Sequence, residues 1–315
     1  MKRESIEISV VMATYNPSWD KCVFTLDSIL RQKDITFELI VTDDGSKTNQ
    51  FEKFTDYFES KGFEDYQMAC HEVNNGTVKN FYDGIKIAKG KYIKLISPGD
   101  ALFSETALAD WLKFLKDSGK SWSFGDAVFI NDNNEIVEAP AFPRIIDCYI
   151  SGDEDKCRWN YVVLEDVALG AAIICEKDLM LKYLDRFLGK VKFAEDVIFS
   201  AMMYDGITPS YFNKNVMFYE FGSGISTGEN AWLDKIHKDW REAEDIIASE
   251  CSGEDLQKKI NKALITNNSG SESKKRLVRN LQKGGIKKVI KHRLSPRMSS
   301  ADITGCGEWF IKEHP

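Results

Sequence analysis

Three acidic segments each follow an apolar run in the first two-thirds of the chain: Thr42-Asp43-Asp44-Gly45-Ser46, Ser97-Pro98-Gly99-Asp100 and Glu195-Asp196. The first two close short hydrophobic strand patterns, Phe37 to Val41 and Tyr92 to Ile96. In an open α/β sheet, ligands settle in the crevice beyond the carboxyl ends of the strands, so these carboxylates stand where a nucleotide would bind. Bare carboxylates repel phosphate unless a divalent cation lies between them. These residues read as those of an enzyme that handles a metal-bound nucleotide diphosphate.

The elements that must position them alternate. Ile6 to Ala13 is a near-continuous apolar, β-branched run, as expected of a strand buried on both faces. Asn16-Pro17-Ser18 breaks it, Asp20 is placed to cap the next helix, and Cys22, Val23, Leu26, Ile29 and Leu30 share one helical face. Further elements are expected as a helix near 49–60, a strand over Gln67 to Val73, a helix from Val78 to Ala88 and a strand over Lys91 to Ile96. Ser104 and Glu105 open another helix carrying Leu108, Trp111, Leu112 and Leu115. Alternation through residue 118 is the pattern of a doubly wound, mostly parallel sheet. Beyond it, strands are read over Ser121 to Ile130 and Val216 to Phe221, with helices over Lys177 to Phe187, Val197 to Tyr204 and from Trp232 onward. Leu164 to Cys175 is apolar and kinked at Gly170-Ala171-Ala172.

At 315 residues, with 43% apolar and 29% charged residues, the composition is that of a soluble globular protein. A net charge of -7 argues against general nucleic-acid binding. Seven scattered cysteines without a CxxC pair suggest reduced thiols, and four isolated histidines lack zinc-ligand spacing. No apolar stretch approaches the roughly 20 residues of a membrane-spanning helix. Met1 to Glu4 leads straight into a strand pattern and leaves no room for a signal peptide, so a cytoplasmic location is expected.

The order of motifs resembles the family 2 glycosyltransferases, inverting nucleotide-diphospho-sugar enzymes with the GT-A fold. The matching residues are Ser9 to Asn16, Glu38 to Ser46, Asn75-Gly76 with Lys79-Asn80, Ser97 to Asp100 and Glu195-Asp196, spanning roughly residues 6–225. The resemblance implies a mixed, mostly parallel sheet flanked by helices. It divides into a catalytic domain over 1–228 (a nucleotide half, 1–118, and an acceptor half, 119–228) and a helical, basic extension over 229–315.

It also implies roles. Ala13, Thr14, Tyr15 and Asn16 form the turn against which a base would lie, and Asp44 contacts the uracil of the donor. Asp43 serves either the nucleotide or the Asp-Gly turn. Gly76 and Lys79 belong to the nucleotide site, although Lys79 also reads as a solvated helix lysine. Asp100 holds Mn²⁺ or Mg²⁺ against the diphosphate, or else caps the next helix. The chain departs from the family here, with Ser97, Pro98 and Gly99 where further carboxylates are usual. Asp196, paired with Glu195, is the general base for the acceptor hydroxyl, the bland alternative being acids that complement a helix dipole. Gly170-Ala171-Ala172 reads as a wall beside the donor sugar or as plain strand packing. Trp159, Tyr161, Trp232 and Trp240 read as sugar-stacking rings or as core, and His237 as a distant candidate for the metal. Gly222 to Gly228 reads as a closing loop.

The expected activity is transfer of a hexose or N-acetylhexosamine from a UDP-sugar to a hydroxyl of a lipid- or protein-linked glycan. A nucleotidyltransferase would want a Gly-rich, basic phosphate loop after the first strand, which Ala13 to Asn16 does not offer. A catalytically weak scaffolding homologue is the other rival, suggested by Ser97-Pro98-Gly99. Between Glu272 and Arg297 lie ten Lys or Arg residues interleaved with apolar ones. That pattern suits an anionic membrane surface or the interface of a homo-oligomer.

Overall fold

Burial on both faces explains why β1 (Ile8–Thr14), β2 (Phe37–Asp43) and β4 (Tyr92–Ile96) are continuous apolar runs. In this computed structural model, which describes residues 5–222, 232–268, 297–307 and 310, they pair in parallel, with β3 (Tyr66–Cys70) beside β2. Helices α1 (Trp19–Leu30), α2 (Phe51–Lys61) and α3 (Thr77–Ile87) make the crossovers. After β4 come β5 (Ala101–Leu102), α4 (Ala107–Ser118), β6 (Trp122–Ile130), α5 (Asp147–Ser151) and α6 (Glu154–Val163). They are followed by β7 (Ile173–Glu176), α7 (Lys177–Phe187), α8 (Val197–Tyr204), β8 (Ser210–Glu220), α9 (Trp232–Ser249) and α10 (Asp255–Asn268).

The sheet order is β3-β2-β1-β4-β7-β6-β8-β5. The chain therefore winds one way from β1 through β3 and then returns to β1's other side with β4. In open α/β sheets a reversal of this kind is where ligand crevices lie, here beyond the ends of β1 and β4. β7 runs antiparallel to both β4 and β6, and β5 antiparallel to β8, so the sheet is mixed. The pleat sends Val10 and Met12 into one apolar cluster with α1, α2 and α4, and Val11 into the opposite one with α3 and the later helices.

Several boundaries differ from the sequence reading. Asp20 lies inside the first turn of α1 and Ser18 is its N-cap residue. Ser104 does not cap α4; the helix starts three residues later, and the Ala107 N–H bonds the Ser104 carbonyl. Gly170–Ala172 is a 3-10 turn ahead of β7 rather than a kinked strand. The strand expected from Val216 begins at Ser210, and α5 and α6 had no reading at all. Their mixed polar surfaces carry little periodic signal.

Residues 297–307 return to the sheet. The Ala141 N–H donates to the Arg297 carbonyl at 2.7 Å, and Arg297 Nη1 meets Asp126 Oδ1 at 2.6 Å. Phe310 stacks on Phe218 with ring centroids 3.8 Å apart. The rest of the basic segment, Glu272 to Pro296, lies outside the described residues, as do residues 1–4, Ser223 to Gly228 and the Trp232 side chain.

Candidate active site

β1 and β2 end side by side, with Thr14 opposite Asp43. Thr14 Oγ1 donates to Asp43 Oδ2 at 3.1 Å, and Asp43 also accepts the Ser46 N–H at 2.8 Å and the Ser46 hydroxyl at 2.5 Å. The turn, one of the two roles expected of Asp43, thus engages both its oxygens. Asn16 braces the same loops: its Oδ1 accepts the Lys47 N–H at 3.0 Å and its own N–H donates to Ser46 Oγ at 2.7 Å. Ala13 is half-buried, and Tyr15 stands 47% exposed beside this turn.

Asp44 is buried. Its Oδ2 accepts the Gly76 N–H at 2.7 Å, while Oδ1 accepts the Asn75 N–H at 2.8 Å and lies 2.9 Å from His71 Nδ1. A carboxylate has about four acceptor positions, so room remains for a donor from a base or ribose. Gly76 has φ +93°, and a Cβ there would lie 2.3 Å from the Lys192 carbonyl oxygen. Only glycine lets the start of α3 press against the loop that leads to Glu195 and Asp196. The Lys79 ammonium is not simply solvated: it pairs with Asp83, one helical turn on. Burial alone would raise the Asp83 carboxyl, but hydrogen bonds from Lys79 and His71 outweigh it and hold it below the usual range. Asn80, on the same turn of α3, is buried with Oδ1 unpartnered among the described residues.

Asp100 follows β4 and is 5% exposed. Its Oδ1 accepts the Glu220 N–H at 3.1 Å, and it caps no helix, since α4 begins seven residues later. Burial, reinforced by the charge of Glu220, pushes its carboxyl up to about 7, against the pull of the Glu220 N–H and of Lys94. The Glu220 carboxylate packs over Gly99 and pairs with the Lys21 ammonium, which is 3.6 Å from Asp132. Glu220 thus brings a second carboxylate near enough for its charge to act on Asp100, where the local motif supplies one. No cluster of three or more metal-type side chains exists among the described residues. A two-carboxylate set still fits Mg²⁺ or Mn²⁺, which commonly take few protein ligands together with phosphate oxygens and water. His237 is exposed on α9 and joins no such cluster.

Asp196 is the N-cap residue of α8, yet its side chain makes no capping hydrogen bond. Its place at the N-terminus of α8 still lets its charge complement the helix dipole. The side chain faces the 3-10 turn: a Cβ on Gly170 would lie 3.1 Å from the Asp196 Cβ. Burial pushes Asp196 up to about 6, and burial with the neighbouring Asp196 charge pushes Glu195 up to about 7. Between the two acidic sites runs Lys94, fully buried in β4. Its ammonium donates to the Ala171 and Leu95 carbonyls at 2.5 Å each. Burial pushes it down to about 8, opposed by the charge of Asp100.

Tyr161 is core, edge-on to Trp122, and Trp159 and Trp240 are half-buried against the same cluster. Sequence reasoning missed His71, Lys94 and Glu220. His71 was hidden because the third strand was read through Val73; it ends at Cys70, which puts His71 at a strand end. A lysine inside an apolar strand was a visible signal for Lys94. Glu220 is 120 residues from its partner Asp100 and had no local signal.

Residues 9–161 match the family model for glycosyl transferase family 2. The poly(ribitol-phosphate) beta-glucosyltransferase of Bacillus spizizenii is 28% identical over 204 residues, 63% of this chain and 30% of that protein. An uncharacterized glycosyltransferase of Rickettsia felis is 28% identical over 149 residues, 44% of this chain and 24% of that protein. The chain spans less than a third of the length of these curated relatives. Among solved structures, S. aureus TarS 1-349 in complex with UDP-GlcNAc superimposes with a TM-score of 0.56 at 18% identity, covering 98% of this chain and 82% of that one. The mannosyltransferase PcManGT from Pyrobaculum calidifontis, in complex with GDP-Man and Mn²⁺, gives 0.59 at 15% identity, covering 99% and 82%. The shared fold is the GT-A type.

Proposed function

Over residues 9–161 this chain belongs to glycosyl transferase family 2, and on that footing we propose that it moves a hexose or N-acetylhexosamine from a UDP-sugar to a hydroxyl of a glycan, with inversion. The observation that carries this reading is Asp196: a carboxylate at a helix start that does not cap the helix and is raised to about 6. It stays largely ionised at neutral pH while holding a proton more firmly than an ordinary aspartate.

In the proposed step, an Asp196 oxygen takes the proton of the acceptor hydroxyl as that hydroxyl oxygen bonds to the anomeric carbon. The bond from that carbon to the diphosphate breaks on the opposite face. Asp44, Gly76 and the Ala13-Thr14-Tyr15-Asn16 turn hold the nucleoside, with Asp43 keeping the turn in shape. Lys79, now on Asp83, is within the same α3 turn and available to the diphosphate. Asp100 and Glu220 would hold Mn²⁺ or Mg²⁺, which supplies charge neutralisation for the departing diphosphate.

UDP is the proposed donor nucleotide, supported by the UDP-GlcNAc complex of TarS; the GDP-Man complex of PcManGT keeps GDP as the second arm of the test. A lipid- or protein-linked glycan remains the proposed acceptor, in keeping with a relative named for poly(ribitol-phosphate). We also propose a catalytic unit over 1–228 with 229–315 as its helical extension, working at the cytoplasmic face. The segment 272–297 would contact membrane or a second copy. Among the described residues no helix is long and apolar enough to cross a membrane. Incubating purified protein with UDP- and GDP-sugars, with and without Mn²⁺, tests the reading. Release of UDP from one sugar donor supports it, and no turnover of any donor sinks it in favour of a scaffolding role.

A further inference from the structure

His71 leaves β3 with both ring nitrogens against carboxylates. Nδ1 is 2.9 Å from Asp44 Oδ1, and Nε2 is 2.8 Å from Asp83 Oδ2. An ionised carboxylate can only accept, whereas a neutral imidazole carries one N–H and one lone pair. A neutral ring would aim its lone pair at one of the two acids. Both contacts are satisfied together only when the ring carries both protons. The ring is largely enclosed, with its side chain 16% exposed, so water does little to relieve a mismatch. Asp83 is tied in turn to the Lys79 ammonium.

We infer that His71, as an imidazolium, is a positioning residue of the nucleotide site: it fixes Asp44 for the donor nucleoside and cancels its charge. The inference rests on the proposed nucleotide role of Asp44. Its physical content is a balance. Asp44 and Asp83 contribute two negative charges, His71 and Lys79 two positive ones, and the row is neutral. Removing the imidazolium leaves a net negative charge beside the path of a diphosphate, which Coulomb repulsion penalises. It also frees Asp44 to rotate, held only by the Asn75 and Gly76 N–H groups. The four positions therefore act as one unit, and Lys79 can turn toward phosphate without stripping Asp83 of its remaining cation.

Two measurements test this. The first is ¹⁵N spectroscopy of the imidazole rings in the wild-type chain at neutral pH, with His71 assigned by its loss in His71→Asn. Two protonated nitrogens are expected, and a single protonated nitrogen overturns the inference. The second is UDP binding by calorimetry alongside donor kinetics. His71→Phe is expected to weaken UDP binding about tenfold or more, the scale of a lost charged hydrogen bond, with the loss falling on KM and not on kcat. His71→Asn, which keeps one donor for Asp44, should recover part of it. Asp83→Asn, which preserves shape, should weaken UDP less while shifting the ring spectrum toward one protonated nitrogen. If the wild type binds UDP and His71→Phe binds it equally, the positioning role falls and the donor reading stands. If the wild type binds no UDP, the donor reading falls and takes the positioning role with it.

Discussion

The buried ammonium of Lys94 donates to the carbonyl oxygen of Ala171 at 2.5 Å. This bond ties the strand that precedes Asp100 to the turn that packs against Asp196, and the Lys94 charge itself acts on Asp100. Replacing Lys94 by Met keeps the length of the side chain and removes its charge. Asp100 then loses one of the interactions that offset its burial, the Glu220 N–H remaining, and should titrate still higher than about 7. The expected outcome is weaker Mn²⁺ binding in the presence of UDP at pH 7, recovering at pH 9. Manganese titration by electron paramagnetic resonance reads this directly, and unchanged binding at pH 7 would refute the link.

Asp196→Asn keeps the shape of the side chain and removes its capacity to take a proton. Turnover should fall by about 10²–10⁴-fold, the range of general-base catalysis, with UDP affinity nearly unchanged. In the wild type, turnover should decline as pH drops through about 6, because protonated Asp196 no longer accepts the hydroxyl proton. An equal loss of UDP binding in the variant would move Asp196 to the donor site.

Gly170→Ala would set a Cβ 3.1 Å from the Asp196 Cβ. One side chain must give by a few tenths of an ångström. Misplacement of about 1 Å costs about 10²-fold in rate, so a loss of about tenfold in kcat is expected here. UDP binding should survive. Full activity in this variant would show that the turn does not set the position of the base.

Gly76→Ala is expected to destabilise the fold itself. The position has φ +93°, and the new Cβ would meet the Lys192 carbonyl oxygen at 2.3 Å. Positive φ alone costs a non-glycine residue about 1–2 kcal/mol, and the clash adds to it. Urea denaturation should show a loss of at least about that size, and a change within error would mean that the Asn75–Gly76 loop moves freely.

Stability should also follow the Glu195–Asp196 pair. Their folded-state values, about 7 and about 6, lie above the ordinary 4.5 and 3.8, so the folded chain binds more protons in between. Their contribution is complete below the ordinary values and is lost as pH rises through the folded ones. Tm should therefore fall between about pH 4.5 and about pH 7 in the absence of ligand. The double variant Glu195→Gln, Asp196→Asn should flatten that slope, and an unchanged slope would assign the titration elsewhere.

The first half of the sheet was legible because its strands are buried on both faces and its helices carry one apolar stripe. Those are local, periodic signals, as in Ile8–Thr14 and Thr77–Ile87. The strand-end rule pointed to Asp44 and Asp100 as candidates, and the resemblance to Asp196. It would have found His71 had the third strand been ended at Cys70. The region from 131 to 172 was harder, because α5, α6 and the 3-10 turn are short and lack a clean period.

By itself the sequence determined the kind of fold and the order of the acidic segments along it, since each depends on neighbours a few residues apart. Only the tertiary structure decided how those acids are held. Glu220 beside Asp100, Lys94 beneath Ala171, Gly76 against Lys192 and Asp196 over Gly170 are pairs separated by 120, 77, 116 and 26 residues. No local pattern encodes such pairs. They arise when β7 enters between β4 and β6 and brings the second half of the chain over the first. Burial at that junction then sets the proton affinity of each carboxylate, because a charge withdrawn from water is governed by whatever the fold places next to it.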